Sequence, residues 1–170
     1  MEALFIQAAL PALREFPAFN AWVDGDEMVL RRRVDIGIAV DTADGLMVGV
    51  VRQADRLGFE ALAQEVVRLG ESIRARTATP AELGNQTFTI SNIGAVGGGF
   101  GTPIIPWGTT AILSLGRIED RPVARDDQVT VRPVLPLSLS YDHRAIDGAL
   151  GRRFLAAVIE RLETGPGPSP

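Results

Sequence analysis

His143 is the only histidine in a chain of 170 residues. It sits in LSLSYDHRAIDG, residues 137–148, where an apolar run meets a polar turn. The chain has no lysine and no cysteine, so all 17 basic residues are arginine. That excludes Schiff-base lysine chemistry, a Walker-type lysine, thiolate catalysis, disulfides and sulfur-ligated metals. It also excludes a lysine able to carry lipoate or biotin. One histidine cannot build a histidine-rich zinc site. Near neutral pH, His143 is the one side chain whose unperturbed pKa suits proton transfer.

Asp142 and Arg144 flank the histidine, and Asp147 and Gly148 follow. A lone histidine is more often structural, held by a hydrogen bond. Against that, the strand VLPLSLS anchors the turn on a rigid element. The neighbouring charges can fix the tautomer and orientation of the imidazole, and Asp147 can cap the helix that follows. Spacing alone leaves a structural histidine and a histidine general base both open. A second stretch, GAVGGGFG at 94–101, suggests a phosphate cradle. No helix follows it, since Thr102-Pro103-Ile104-Ile105-Pro106 comes next, and there is no lysine. Tight turning or close backbone approach accounts for the glycines.

The elements that must position these residues read as follows. Ala3–Phe16 has helical periodicity, with Pro11 a poor interior residue able to kink it. PAFNAW is a turn. Met28–Leu30 and Val34–Val40 read as strands, and Leu46–Val51 closes a hairpin across DTADG. Ala54–Arg76 carries the clearest apolar stripe and reads as one helix. Thr87–Ser91 and Thr110–Ile118 read as strands on either side of the glycine loop. A hairpin turns at Asp126-Asp127 and leads into a long strand interrupted by Pro133 and Pro136. Ile146–Leu162 is the last helix, and TGPGPSP a flexible tail. Hairpins mixed with helices predict an α+β sandwich with a mixed sheet.

The net charge of −4 argues against a general nucleic-acid or anionic-membrane surface. Arg31-Arg32-Arg33 is the local exception and reads as a solvated edge. No apolar run approaches the ~20 residues of a membrane span. Met1–Leu13 has no basic leader region and reads as helix. The absence of cysteine fits a reducing compartment.

LSLSYDHRAIDGALGRRFL resembles the signature of the dihydrolipoamide acyltransferases, the core components of 2-oxo acid dehydrogenase complexes. TFTISNIGAVGGGFGTPII followed by AILSLGRI resembles the same family's second signature. LREFPAFNAW, VDIGIAVDTADGLMVGVVRQAD and TPAELGNQTFTISNIG match it in order. The resemblance covers nearly all of residues 3–163.

The resemblance implies a chloramphenicol acetyltransferase-like fold, trimers that build larger cores, and an active site in a channel between subunits. It implies coenzyme A as a substrate and a lipoyl group supplied by a separate domain or chain, with no metal. His143 matches the catalytic histidine that takes the proton from the coenzyme A thiol. Ser91 matches the serine that steadies the oxyanion, and Asp147 matches an aspartate that supports the site. The implied partners are two further copies or a larger multiple of three, a lipoyl domain and dehydrogenase subunits, with no nucleic acid and no membrane. The implied location is the bacterial cytoplasm, or the mitochondrial matrix in a eukaryote. An apolar segment, GTPIIPWG, is a candidate for burial against a neighbouring copy.

Residues 1–164 read as the acyltransferase domain without the family's first helix and strand, and 165–170 as tail. Gly49 stands where members commonly carry proline, and Trp107-Gly108 replaces part of a usual asparagine–proline–proline run. Two rival readings remain: a non-catalytic or weakly active trimeric scaffold, and a chloramphenicol-type acetyltransferase acting on a hydroxyl.

Overall fold

The computed structural model describes residues 1–165. The chain begins with α1 (Glu2–Glu15), in which six of the first nine positions are apolar and buried. The helix runs through Pro11 as one element. A short 3-10 turn at Pro17–Asn20 leads to a ribbon of β1 (Ala21–Asp24) and β2 (Glu27–Leu30). Next come β3 (Ile36–Thr42), β4 (Gly45–Val51) and α2 (Phe59–Arg74), then β5 (Phe88–Asn92) and β6 (Ala111–Leu115). A second ribbon pairs β7 (Glu119–Arg125) with β8 (Gln128–Val134), and the chain closes with β9 (Leu137–Tyr141) and α3 (Gly148–Thr164).

Five strands make one mixed sheet in the order β4-β3-β5-β6-β9. The central pairs β3–β5 and β5–β6 are parallel, and the outer pairs β3–β4 and β6–β9 are antiparallel. Alternation decides which residues meet the helices. Ile36, Ile38, Phe88, Ile90, Leu113 and Leu115 join the apolar core with α1, α2 and α3. The intervening residues Gly37, Ala39, Thr89, Ser91, Ser114 and Ser138 are small or hydroxyl-bearing and face the other way. Phe154 of α3 stacks on Phe19 at 4.0 Å and meets Phe88 at 5.8 Å, which locks the last helix onto the sheet.

The α+β reading with a mixed sheet matches this architecture. Some boundaries differ from the sequence reading. Ala21 and Trp22, placed in a turn by sequence, open β1 (Ala21–Asp24), and Asp24-Gly25-Asp26 makes the reversal with Gly25 at φ +57°. The 54–76 helix begins only at Phe59, because Gly58 separates it from a 3-10 turn at Ala54–Arg56. The 110–118 strand ends at Leu115, since Gly116 to Ile118 leave the sheet toward the ribbon. The predicted reversal at Asp126-Asp127 has both residues in the left-handed region, φ +51° and +59°, which suits a tight hairpin. Pro133 lies inside β8, which is tolerable because that two-stranded ribbon has only one partner side. No helix among the described residues is long and apolar enough to cross a membrane. Past Gly165 the predicted tail lies outside the described residues.

Candidate active site

His143 sits on a tight turn that leaves β9 and enters α3. The turn is closed by the Ala145 and Ile146 amides, both donating to the Asp142 carbonyl at 3.0 Å. Asp142 also accepts from the Arg144 amide at 3.0 Å and from its guanidinium at 2.6 and 3.0 Å. The Arg144 guanidinium, against a smaller burial penalty, holds the Asp142 carboxyl below the usual range. Asp147 caps α3: its Oδ1 accepts from the Leu150 amide at 2.7 Å. The imidazole is exposed and lies 5.9 Å, ring to ring, from Tyr141. Tyr141 in turn packs so closely on α3 that a Cβ at Gly151 would come within 2.7 Å of its ring.

The sequence reading gave Asp142, Arg144 and Asp147 a share in orienting the imidazole. Their hydrogen bonds go elsewhere: Asp142 and Arg144 bind each other, and Asp147 serves the helix. They fix the backbone that carries His143.

Ser91 lies near the end of β5, half-buried, on the sheet face away from the helices. The next residue, Asn92, accepts from the Ala95 amide at 3.2 Å and donates to Glu2 of α1 at 2.7 Å. The glycine loop then packs backbone on backbone. A Cβ on Gly94 would stand 2.4 Å from the Gly116 carbonyl oxygen, and one on Gly116 only 1.9 Å from that of Gly99. Close approach is therefore what these glycines provide. Sequence alone had no signal for the Glu2–Asn92 bond, which joins residues 90 positions apart.

The chain keeps Ser91 and His143 apart. Ser91 is level with Ser114 on β6, whereas Tyr141 is level with Ala111 at the other end of that strand. Three residues of rise, two strand spacings and the step beyond Tyr141 separate their Cα atoms by roughly 15–20 Å. No single reacting atom can touch both side chains in one chain.

A cavity of about 660 Å³ lies elsewhere. It opens at the far edge of the sheet, among Arg32, Arg33, Arg52 and Arg56. There the buried Asp35 pairs with Arg33 at 3.1 Å and Arg52 at 3.3 Å, and Arg52 also holds the Ala81 and Gly84 carbonyls. That cluster ties the entry of β5 to β3 and β4 and holds neither candidate residue. On the same side of the fold, Gly49 makes room for α2, since a Cβ there would sit 2.5 Å from Ile73 Cδ1.

One surface stands out by its exposed apolar groups. Ile104 is 90% exposed and Trp107 98%, with Val96 and Phe100 also open to solvent.

Residues 1–167 match the family model of the 2-oxoacid dehydrogenases acyltransferase (catalytic domain). The chain is 40% identical over 161 residues to the dihydrolipoyllysine-residue succinyltransferase component of the 2-oxoglutarate dehydrogenase complex of Rickettsia felis. That match covers 95% of this chain and 40% of the relative's length. Among solved structures, the cubic core of a pyruvate dehydrogenase multienzyme complex superposes with a TM-score of 0.90 at 37% identity, covering 95% of this chain and 67% of the other. Azotobacter vinelandii dihydrolipoamide acetyltransferase does so at 0.89 and 36%, with 95% and 67% covered. In that protein a serine, a histidine and an asparagine have been investigated for their role in the catalytic mechanism. A chloramphenicol acetyltransferase, 19% identical with a TM-score of 0.60, shares the fold. The chain belongs to the 2-oxoacid dehydrogenase acyltransferase family, whose catalytic-domain model matches its residues 1–167.

Proposed function

We propose that this chain transfers an acyl group between dihydrolipoamide and coenzyme A. His143 is the general base and Ser91 the oxyanion donor, and each site is built from two copies. The separation of Ser91 and His143 within one chain carries the reading. Two half-sites at opposite ends of one sheet become whole when the serine end of one copy meets the histidine end of the next. The exposed Ile104 and Trp107 supply apolar area for that contact. A closed assembly of three copies, or a multiple of three, fits the cubic core that the fold matches.

The chemistry uses the residue types present. A thiol of pKa ~8.5 is only slightly ionised at neutral pH. Neutral His143 accepts the thiol proton as the sulfur attacks the thioester carbonyl. The carbonyl oxygen becomes an oxyanion, and the Ser91 hydroxyl donates to it. When the tetrahedral intermediate collapses, the second sulfur leaves and takes the proton back from the imidazolium. No acyl-enzyme forms, because both sulfurs belong to the substrates. Asp147 serves through the α3 cap, which sets the position of the His143 turn.

Sedimentation at micromolar concentration combined with a thiol-release assay, using acetyl- and succinyl-coenzyme A with dihydrolipoamide, tests the proposal. A trimer or multiple of three should sediment, and His143→Ala should lower turnover by ~10²–10⁴-fold. An unaltered rate in His143→Ala would remove the histidine assignment. An assembled but inactive wild type would favour the scaffold.

A further inference from the structure

Ser114 interrupts an apolar strand. Ala111, Ile112, Leu113 and Leu115 around it are buried, and Ser114 is buried as deeply, with 1% exposure. Its hydroxyl has no hydrogen-bond partner among the described residues. A buried hydroxyl left unpaired destabilises a fold, so its presence asks for a reason. The register of the sheet offers one. Ser114 is the cross-strand partner of Ser91 on β5 and of Ser138 on β9. The three side chains therefore stand in one row, on the face turned away from the helices. Neighbouring strands lie about 5 Å apart, and rotation about χ1 brings two such oxygens into hydrogen-bond range.

We infer that Ser114 is a positioning residue that donates its O–H to the Ser91 oxygen. The inference rests on the acyl-transfer reading of Ser91. A serine hydroxyl has one proton to give and two lone pairs to fill. Ser91 must direct its proton at the oxyanion, so a neighbour that donates to its oxygen fixes the direction of that proton. The same bond polarises the Ser91 O–H and strengthens the donor. Ser138, half-buried at the end of the row, donates to Ser114 in turn. Thr89 serves as the contrast. Its hydroxyl is also buried and unpartnered, but it lies two residues before Ser91 on the same strand, about 7 Å away and beyond reach.

The test is a double-mutant cycle in the assembled protein, with melting temperatures measured alongside. Ser114→Ala should lower turnover about 3- to 10-fold with KM unchanged, because an aligned donor acts on charge present only in the transition state. Its melting temperature should fall slightly, since one buried hydrogen bond has gone. Thr89→Val should keep full activity and hold or raise the melting temperature, since the hydroxyl it removes has no partner among the described residues. In a Ser91→Ala background, Ser114→Ala should have no further effect on turnover. An equal loss with and without Ser91 overturns the inference, as does full activity in Ser114→Ala. If Ser91→Ala itself is fully active, the oxyanion assignment fails instead. A high-resolution structure of the assembly gives a readout that does not depend on activity. The Ser114 and Ser91 oxygens should lie within hydrogen-bond distance, and a Ser114 hydroxyl paired to any other group refutes the role.

Discussion

The serine end and the histidine end of the sheet are both strand exits, yet they are held in different ways. The Ser91 exit is fixed by long-range packing: the Asn92–Glu2 bond to α1 and backbone against backbone at Gly94, Gly99 and Gly116. The His143 exit is fixed by local polar bonds: the Asp142–Arg144 pair, the turn amides and the Asp147 cap. The serine half therefore depends on the whole fold, whereas the histidine half is built within a few residues. Each exit is complete as a piece of scaffold, and in the shared site proposed above each supplies what the other lacks.

That contrast can be broken from either side. The largest effect should come at the serine end. Gly116→Ala forces a Cβ to within 1.9 Å of the Gly99 carbonyl oxygen, so the loop or the end of β6 must move. Overpacking of this kind costs about 1–3 kcal/mol or more, read as a lower midpoint in urea unfolding. It should also reduce activity with His143 untouched. An unchanged midpoint would show that the glycine loop has another conformation available.

At the histidine end the expected cost is smaller and local. Asp147→Ala removes the cap that accepts from Leu150, a loss of about 1 kcal/mol. Asp147→Asn keeps a good cap and should restore both stability and turnover. If asparagine is as damaging as alanine, the carboxylate charge has a role beyond the helix.

The smallest effect concerns how the chain enters β5. The backbone amide and then the hydroxyl of Thr79, followed by the Arg68 guanidinium, hold Glu82 down to about 2. A depressed carboxyl stabilises the fold above its ordinary value of 4.5, and that contribution is lost as pH falls toward 2. Thermal melts between pH 6 and pH 2.5 should show a slight extra acid sensitivity that Glu82→Gln removes, small because the group lies at the surface, where solvent screens it. A variant with the same acid profile would assign no weight to this box.

Much of the fold was legible in the chain itself. The β3–β4 hairpin, the hydrophobic stripe of α2 and the Asp126-Asp127 reversal follow from alternation, helical spacing and turn chemistry. β1 was missed because its four residues are short and lie beside Pro17, although Asp24-Gly25 is a hairpin signal. The start of α2 was misplaced because the apolar spacing continues through Gly58, and only the backbone break there ends the pattern. His143 was visible as the sole histidine, and Ser91 through family resemblance. The resemblance implied a site between subunits; the residues themselves could not convey the distance within one chain, which the antiparallel β6–β9 and parallel β5–β6 pairings set by placing them at opposite ends. Ser114 left a faint trace as one polar residue in an apolar strand, but its pairing with Ser91 exists only in the register.

The shared site is the central claim, and complementation tests it most directly. Ser91→Ala and His143→Ala chains, each expected to be nearly inactive, are unfolded together in equal amounts and refolded. Every site that takes its serine from a His143→Ala copy and its histidine from a Ser91→Ala copy is intact. Random assembly into closed rings should then restore about a quarter of the wild-type activity per site. Activity no higher than the sum of the two parents, in a mixture shown to have exchanged subunits, would contradict the account and place the whole site within one chain.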